Sequence, residues 1–205
     1  MGYKIKVLGC SPILNTQVSY AKSKFLMFHW RKPTYPWIKS NTDGSYRRHT
    51  AGIGGIFINN VGECLLFFQS PTDALNALQA EVLAVVWALQ TAVVMGWNLL
   101  IVEMDSLWLF QLLKDNISPP WFLLHVVKQI THMKLTHNLQ IIWKHIFREG
   151  NRCANWLAHQ GALSMLPKVN TTPPMELSWL IKADLSDLPY IRRGMSTDVY
   201  FNHSI

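Results

Sequence analysis

From Trp37 to Asp43 the side chains alternate, with Ile38, Ser40 and Thr42 on one face and Lys39, Asn41 and Asp43 on the other, which is the two-residue period of a strand. Gly44 and Ser45 are expected to end that strand in a turn. Residues 51–58 form a second extended run and residues 63–69 a third, joined through Asn59-Asn60-Val61-Gly62, so this region reads as an antiparallel meander. Gly54 and Gly55 weaken the second strand and mark a bulge or the close approach of another backbone. From about Asp73, placed as a helix cap, the period changes. Leu75, Leu78, Val82, Val85, Val86, Leu89 and Val93 recur at three- and four-residue spacing, the pattern of a helix with one apolar face. Leu99–Met104 then reads as a buried strand ending at Asp105-Ser106, Leu107–Lys114 as a short helix, and residues 121–136 as a further helical stretch after Pro119-Pro120. Residues 138–144 alternate again as a fifth strand leading to His145, and a last helix runs from Arg152 to about Met165.

Outside these elements the pattern fades. Residues 1–35 show no sustained period, and residues 166–205 are weakly patterned apart from a short hydrophobic piece from Met175 to Ile181 that can dock. The organisation is therefore an arm (1–35), one domain (36–165) and a tail (166–205). Hydrophobic residues make up 49% of the 205, which excludes a wholly disordered chain. Val82 to Val102 is a stretch of 21 residues without a charge, long enough to imitate a membrane span. Gly96-Trp97-Asn98 divides it into halves of different period, so it reads as a buried helix and a buried strand, with no membrane partner.

Charge adds an asymmetry. The net charge is +7, and all seven charged residues before Asp43 are basic: Lys4, Lys6, Lys22, Lys24, Arg31, Lys32 and Lys39. An acid-free arm of this kind can touch phosphate backbones, carry an organelle address or do neither, and here it reads as a plain extension. Three cysteines, Cys10, Cys64 and Cys153, are too few and too scattered for a disulfide framework or a zinc site. They suit a reducing compartment, nuclear or cytoplasmic, with an organelle left open by the arm.

Three acids fall at informative places: Asp43 at the end of the first strand, Glu81 inside the first helix and Asp105 at the end of the fourth strand. Singly, Asp43 reads as a turn residue and Asp105 as a helix cap. Glu81 is harder to dismiss. It lies three residues after Leu78 and four before Val85, on the edge of the apolar face, with no cationic partner nearby in sequence. Desolvating it there would cost several kcal/mol, which a metal or a paired site would offset.

The element order and these three positions resemble the ribonuclease H fold. In detail the sequence is similar to plant members of the type 1 ribonuclease H family related to retrotransposon reverse transcriptases. The matching pieces are SNTDGSY around Asp43, ALQAEVLAVVWAL around Glu81, LIVEMDS ending on Asp105 and WKHIFREGNRCANWLAHQG from Trp143, covering roughly residues 30–165. PMELSWLIKADL continues the likeness weakly into the tail. The resemblance implies an α/β fold with a five-stranded mixed sheet, three strands antiparallel and two parallel, and helices on both faces. It also implies hydrolysis of the RNA strand of an RNA–DNA hybrid with two magnesium ions, manganese being the alternative.

By position, Asp43, Glu81 and Asp105 match three of the family's four acids, with Asp43 as the bridging ligand. The fourth departs: the residue four after Asn151 is Asn155, whose amide oxygen can bind a cation without offering charge. His145 matches the family's mobile-loop histidine, which assists proton transfer and product release. Gly54, Gly55, Asn76 and Gln79 match positions where family members approach the RNA strand. The implied partner is an RNA–DNA hybrid, read by shape and backbone by a monomer. The basic protrusion that some relatives carry after the second helix is reduced here to Lys128 and Lys134. Asn155 and this thin basic surface leave a second reading, a catalytically inactive nucleic-acid-binding domain derived from a retroelement.

Overall fold

The computed structural model describes residues 24–194 apart from positions 49 and 116. Most of the basic arm and Cys10 therefore lie outside the described residues. The chain divides into a main unit, Met27–Arg192, and a smaller unit of Met1–Leu26 with Arg193–Ile205. Strand β1 (Lys24–Phe28) pairs with the last strand, Tyr190–Gly194, in a two-stranded ribbon.

The main sheet takes β2 (Ile38–Arg47), β3 (Thr50–Ile58), β4 (Cys64–Pro71), β5 (Leu99–Met104), β6 (Gln140–His145) and β7 (Lys168–Asn170). Its spatial order is β6-β5-β2-β3-β4-β7, antiparallel from β2 to β7 and parallel from β2 through β5 to β6. The expected three antiparallel and two parallel strands are present, and β7 adds a sixth. It pairs Asn170 with Phe67, Val169 with Phe68 and Lys168 with Gln69. Three exposed residues are too short a run to show a period, which is why the sequence pattern passed over them.

Helices cover both faces. Ile53, Phe57, Phe68, Leu100, Val102 and Met104 pack with Val82, Val85 and Leu89 of α1 (Ala77–Val94), Leu109 of α2 (Leu107–Lys114) and Ile130 of α3 (Leu124–Thr136). The other face sends Ile56, Ile58 and Phe67 against Cys153 and Leu157 of α4 (Arg152–Leu163) and Leu177 and Ile181 of α5 (Met175–Leu185), with Trp30 alongside. Each such aliphatic side chain removed from water contributes ~1.5–3 kcal/mol. Because both faces are covered, β3 is buried at every position after its first and reads as a near-continuous apolar run. Among the described residues α1 alone is long and apolar enough to cross a membrane by length and composition, and here eight of its residues, Ala80 to Ala92, are buried in the core.

Two local expectations change and a third is extended. The first strand does not end at Gly44: β2 pairs with β3 through Gly44↔Ile53 as far as Arg47↔Thr50. Gly44 is a place of close approach, since a Cβ there would lie 2.3 Å from the carbonyl carbon of Ala80 and from the amide of Glu81. The cap of α1 is Asn76, three residues later than Asp73; its Oδ1 accepts the Gln79 amide at 2.9 Å. Finally, the hydrophobic piece of the tail is an 11-residue helix whose Asp184 is buried. That carboxylate accepts from the Tyr190 hydroxyl and from Cys153 Sγ (3.4 Å), fastening α5 to α4.

Candidate active site

The parallel register between β2 and β5 sets Asn41 beside Glu103. Two residues further along each strand stand Asp43 and Asp105, so the two carboxylates emerge side by side at the same end of the sheet. Ligand sites in sheets of this kind gather at the carboxyl ends of parallel strands. Glu81 arrives from above: the backbone of α1 at Ala80–Glu81 rests on Gly44, the residue after Asp43. Ser106 caps α2, its Oγ accepting the Leu109 amide at 3.3 Å, which leaves Asp105 free of the capping work expected of it. The result is a cluster in which one oxygen from each of Asp43, Glu81 and Asp105 lies within 4.8 Å of the others.

Among the described residues, the cation that acts on Asp43 is Arg148, and its effect is outweighed. Burial, and then the neighbouring Asp105, push the Asp43 carboxyl up to about 8, against a smaller lowering by Arg148. Burial, then Asp43 and Asp105, also hold Glu81 well above the usual carboxylate range. Glu81 Oε2 and Asp105 Oδ1 are buried without a hydrogen-bond partner. An unpartnered buried oxygen costs roughly 1–3 kcal/mol. An all-oxygen donor set with unmet oxygens turned into it fits a hard divalent cation.

His145, at the end of β6, donates from Nε2 to the backbone carbonyl of Asp105 at 3.2 Å. Its ring packs near Phe110 and Phe147, with centroids 6.1 and 5.9 Å away. The structure thus brings His145 against one of the three acids. Asn155 stands one helical turn beyond Asn151, its amide donating to the Asn151 carbonyl at 2.9 Å. Asn151 is itself fixed to β2, its Nδ2 donating to the carbonyl of Thr42 (2.9 Å) next to Asp43.

The four expected substrate contacts fare differently. A Cβ on Gly54 would lie 2.2 Å from the amide nitrogen of Ala158, and one on Gly55 2.4 Å from the ring of Phe68. Both glycines are buried mid-sheet, so they serve the packing of α4 and of the core and present no surface to a nucleic acid. Asn76 and Gln79 are half-buried at the start of α1, and their side-chain oxygens are used there: Asn76 caps the helix and Gln79 Oε1 accepts the Leu75 amide at 2.8 Å.

Sequence reasoning missed the neighbours of Asp43 on its own face. Lys39 Nζ meets Glu103 Oε1 at 2.5 Å, donates to the Arg31 carbonyl and lies 4.4 Å from the centre of the Trp30 ring. Asn41 Nδ2 donates to Glu103 Oε2 (3.1 Å) and to Asn151 Oδ1 (3.3 Å). Burial drives the Lys39 ammonium below its ordinary value, and Glu103 opposes that. The signal was present: Glu103 interrupts an apolar strand as Glu81 interrupts an apolar helix face. Arg148, whose charge reaches Asp43, was also passed over.

A mixed sheet of this order, with carboxylates from β2, from α1 and from the end of β5 gathered together and a histidine beside them, defines a ribonuclease H-like domain. The model of the reverse transcriptase-like family matches residues 41–161, and the chain belongs to that family, as a plant ribonuclease H-like domain. A ribonuclease H protein of Arabidopsis thaliana is 30% identical over 139 residues, 65% of this chain. The chain spans only 22% of that relative's length. Among solved structures, LC11-RNase H1 in complex with an RNA/DNA hybrid shares 26% identity at a TM-score of 0.56, covering 62% of this chain and 99% of that one. RNase H1 of the archaeon Halobacterium salinarum shares the fold at 21% identity and a TM-score of 0.54, covering 61% of this chain and 96% of its own.

Proposed function

We propose that this chain is a divalent-cation-dependent endonuclease that hydrolyses the RNA strand of RNA–DNA hybrids. The observation that carries the reading is the group of three carboxylates within 4.8 Å of one another, two of them with buried, unpartnered oxygens. Asp43, Glu81 and Asp105 would hold the cation, magnesium or manganese by the oxygen-only donor set. When bound, such an ion supplies charge neutralisation at the scissile phosphate and a water that ionises more readily.

The chain's own residues divide the remaining work. Asp43 is held by the central strand, and Gly44 lets α1 set Glu81 directly over it. Asp105 is held at the end of β5 with Ser106 taking the cap. His145 keeps a proton at Nε2 against the Asp105 carbonyl, a position from which it can pass that proton to a departing oxygen. Arg148 sets a positive charge near Asp43 that favours its ionised form and attracts a phosphate. Asn155 offers a neutral oxygen where a fourth acid would add charge, so half-saturation needs more magnesium.

That same neutral position favours a second reading, a nucleic-acid-binding domain without turnover. Cleavage of an end-labelled RNA–DNA hybrid across a magnesium titration, with Asp43→Asn alongside, separates the two. Cleavage by the wild type that disappears in the variant supports the enzyme. Hybrid binding without cleavage at any magnesium concentration establishes the binding module, and equal cleavage by both proteins removes Asp43 from the site.

A further inference from the structure

The reduced basic protrusion raises the question of where this domain meets the phosphates of its ligand. Beside the acid cluster, on the α4 side of the sheet, a groove of about 630 Å³ opens between the turn after β6, α4, Leu180 of α5 and Tyr190 at the start of the last strand, β8 (Tyr190–Gly194). Arg148 and Arg152 line it, both exposed. Its lining carboxylate, Glu149, is engaged by Arg192 at 3.5 Å, so the lining is cationic on balance. Trp156, half-buried, adds aromatic surface, while the Tyr190 ring is stacked on Phe28 at 5.5 Å with Arg152 5.9 Å over it. Arg148 belongs to both places, lining the groove and placing its charge near Asp43. Asn155 also borders the groove.

We infer that this groove is a binding site for a single-stranded nucleic-acid segment continuous with the strand held at the acid cluster. Arginine guanidinium groups bind phosphate through paired donors, and an aromatic face accepts any base by stacking, so the combination recognises a phosphodiester strand without selecting sequence. A duplex hides its base faces, whereas a single strand leaving the cleft presents them. The expected consequence is a preference for hybrids that carry a single-stranded extension over blunt ones. The inference deepens the hybrid-nuclease reading and rests on it for the strand held at the acids.

The test is binding, measured by fluorescence anisotropy without divalent metal, so that no cleavage is read. The probes are a blunt RNA–DNA hybrid and the same hybrid with a single-stranded RNA extension of about six nucleotides at the 5′ or the 3′ end. The extension at one of the two ends should tighten binding to the wild type by about tenfold. Arg152→Ala should reduce that gain to less than about twofold, and Arg152→Lys should restore part of it, because a point charge still meets the phosphate. Arg152 is exposed, and circular dichroism of each variant verifies the fold. Equal affinity of the wild type for blunt and extended probes, or an undiminished gain in Arg152→Ala, would overturn the groove. The nuclease reading fails separately: a wild type that gains from the extension yet never cleaves in magnesium keeps the groove and loses the enzyme.

Discussion

Two buried polar clusters share one face of β2. At the first, Lys39, Asn41, Glu103 and Asn151 join an ion pair of 2.5 Å to side-chain hydrogen bonds of 3.1 and 3.3 Å. At the second, Asp43, Glu81 and Asp105 are all acidic, with orphaned oxygens on Glu81 and Asp105. The first carries its own cation, and its one unpartnered atom is the neutral amide oxygen Oδ1 of Asn41. The second is left short of positive charge, and burial there raises the carboxyl groups of Asp43 and Glu81 where burial alone would disfavour assembling them at all. Side by side, the two show a scaffold whose charge is balanced within the chain and a site that a cation from solution would complete. The scaffold also holds the site: Asn151 ties α4 to the Thr42 carbonyl, one residue before Asp43.

The contrast can be broken most sharply by Asp43→Asn. Cleavage of a labelled hybrid should fall by about 10³-fold or more, while the metal-free protein should melt at a higher temperature because one of the facing carboxylates is gone. The opposite pattern is expected of the first cluster. Lys39→Met leaves Glu103 buried without its cation and should cost ~3–5 kcal/mol in urea unfolding, with much of that loss recovered in the double variant Lys39→Met/Glu103→Leu. A smaller loss, ~1–3 kcal/mol, is expected for Gly44→Ala, because the added methyl meets the α1 backbone. Activity should fall further than stability there, since the displaced residue is Glu81.

The pH dependence separates the clusters more gently. Asp43 titrates at about 8 in the folded metal-free protein against 3.8 for the free group, so between those values the folded state holds a proton that the unfolded state has lost. Metal-free stability should therefore decline as pH rises across that window and level off above it, and Asp43→Asn should flatten the decline. Thermal melts in chelator at intervals of pH would show it. The smallest effect is expected of Asn155→Asp, which should lower the magnesium needed for half-maximal cleavage severalfold and leave the rate at saturation nearly unchanged.

Much of this was legible in the sequence, for identifiable reasons. Alternation in residues 37–43, the extended apolar run at 51–58 and the three-and-four spacing from Leu78 to Val93 gave the elements, and Glu81 announced itself as a charge on an apolar face. What escaped was decided by contacts distant in sequence. Gly44 looked like a breaker and is the seat for α1, whereas the close approach of a backbone expected at Gly54 is that of α4. Lys39 looked like one more arm charge and is an interior cation, because Glu103 and Trp30 come from elsewhere in the chain. Arg148 joined the site only through the folding of the turn after β6.

The most direct measurement is the thermal shift on adding magnesium or manganese at pH 8, read in parallel on the wild type, Asp43→Asn and Lys39→Met/Glu103→Leu. A cation that completes the acid cluster raises the melting temperature of the wild type and of the double variant and leaves Asp43→Asn unmoved. An equal rise in Asp43→Asn, or no rise in the wild type at any concentration, would contradict the account.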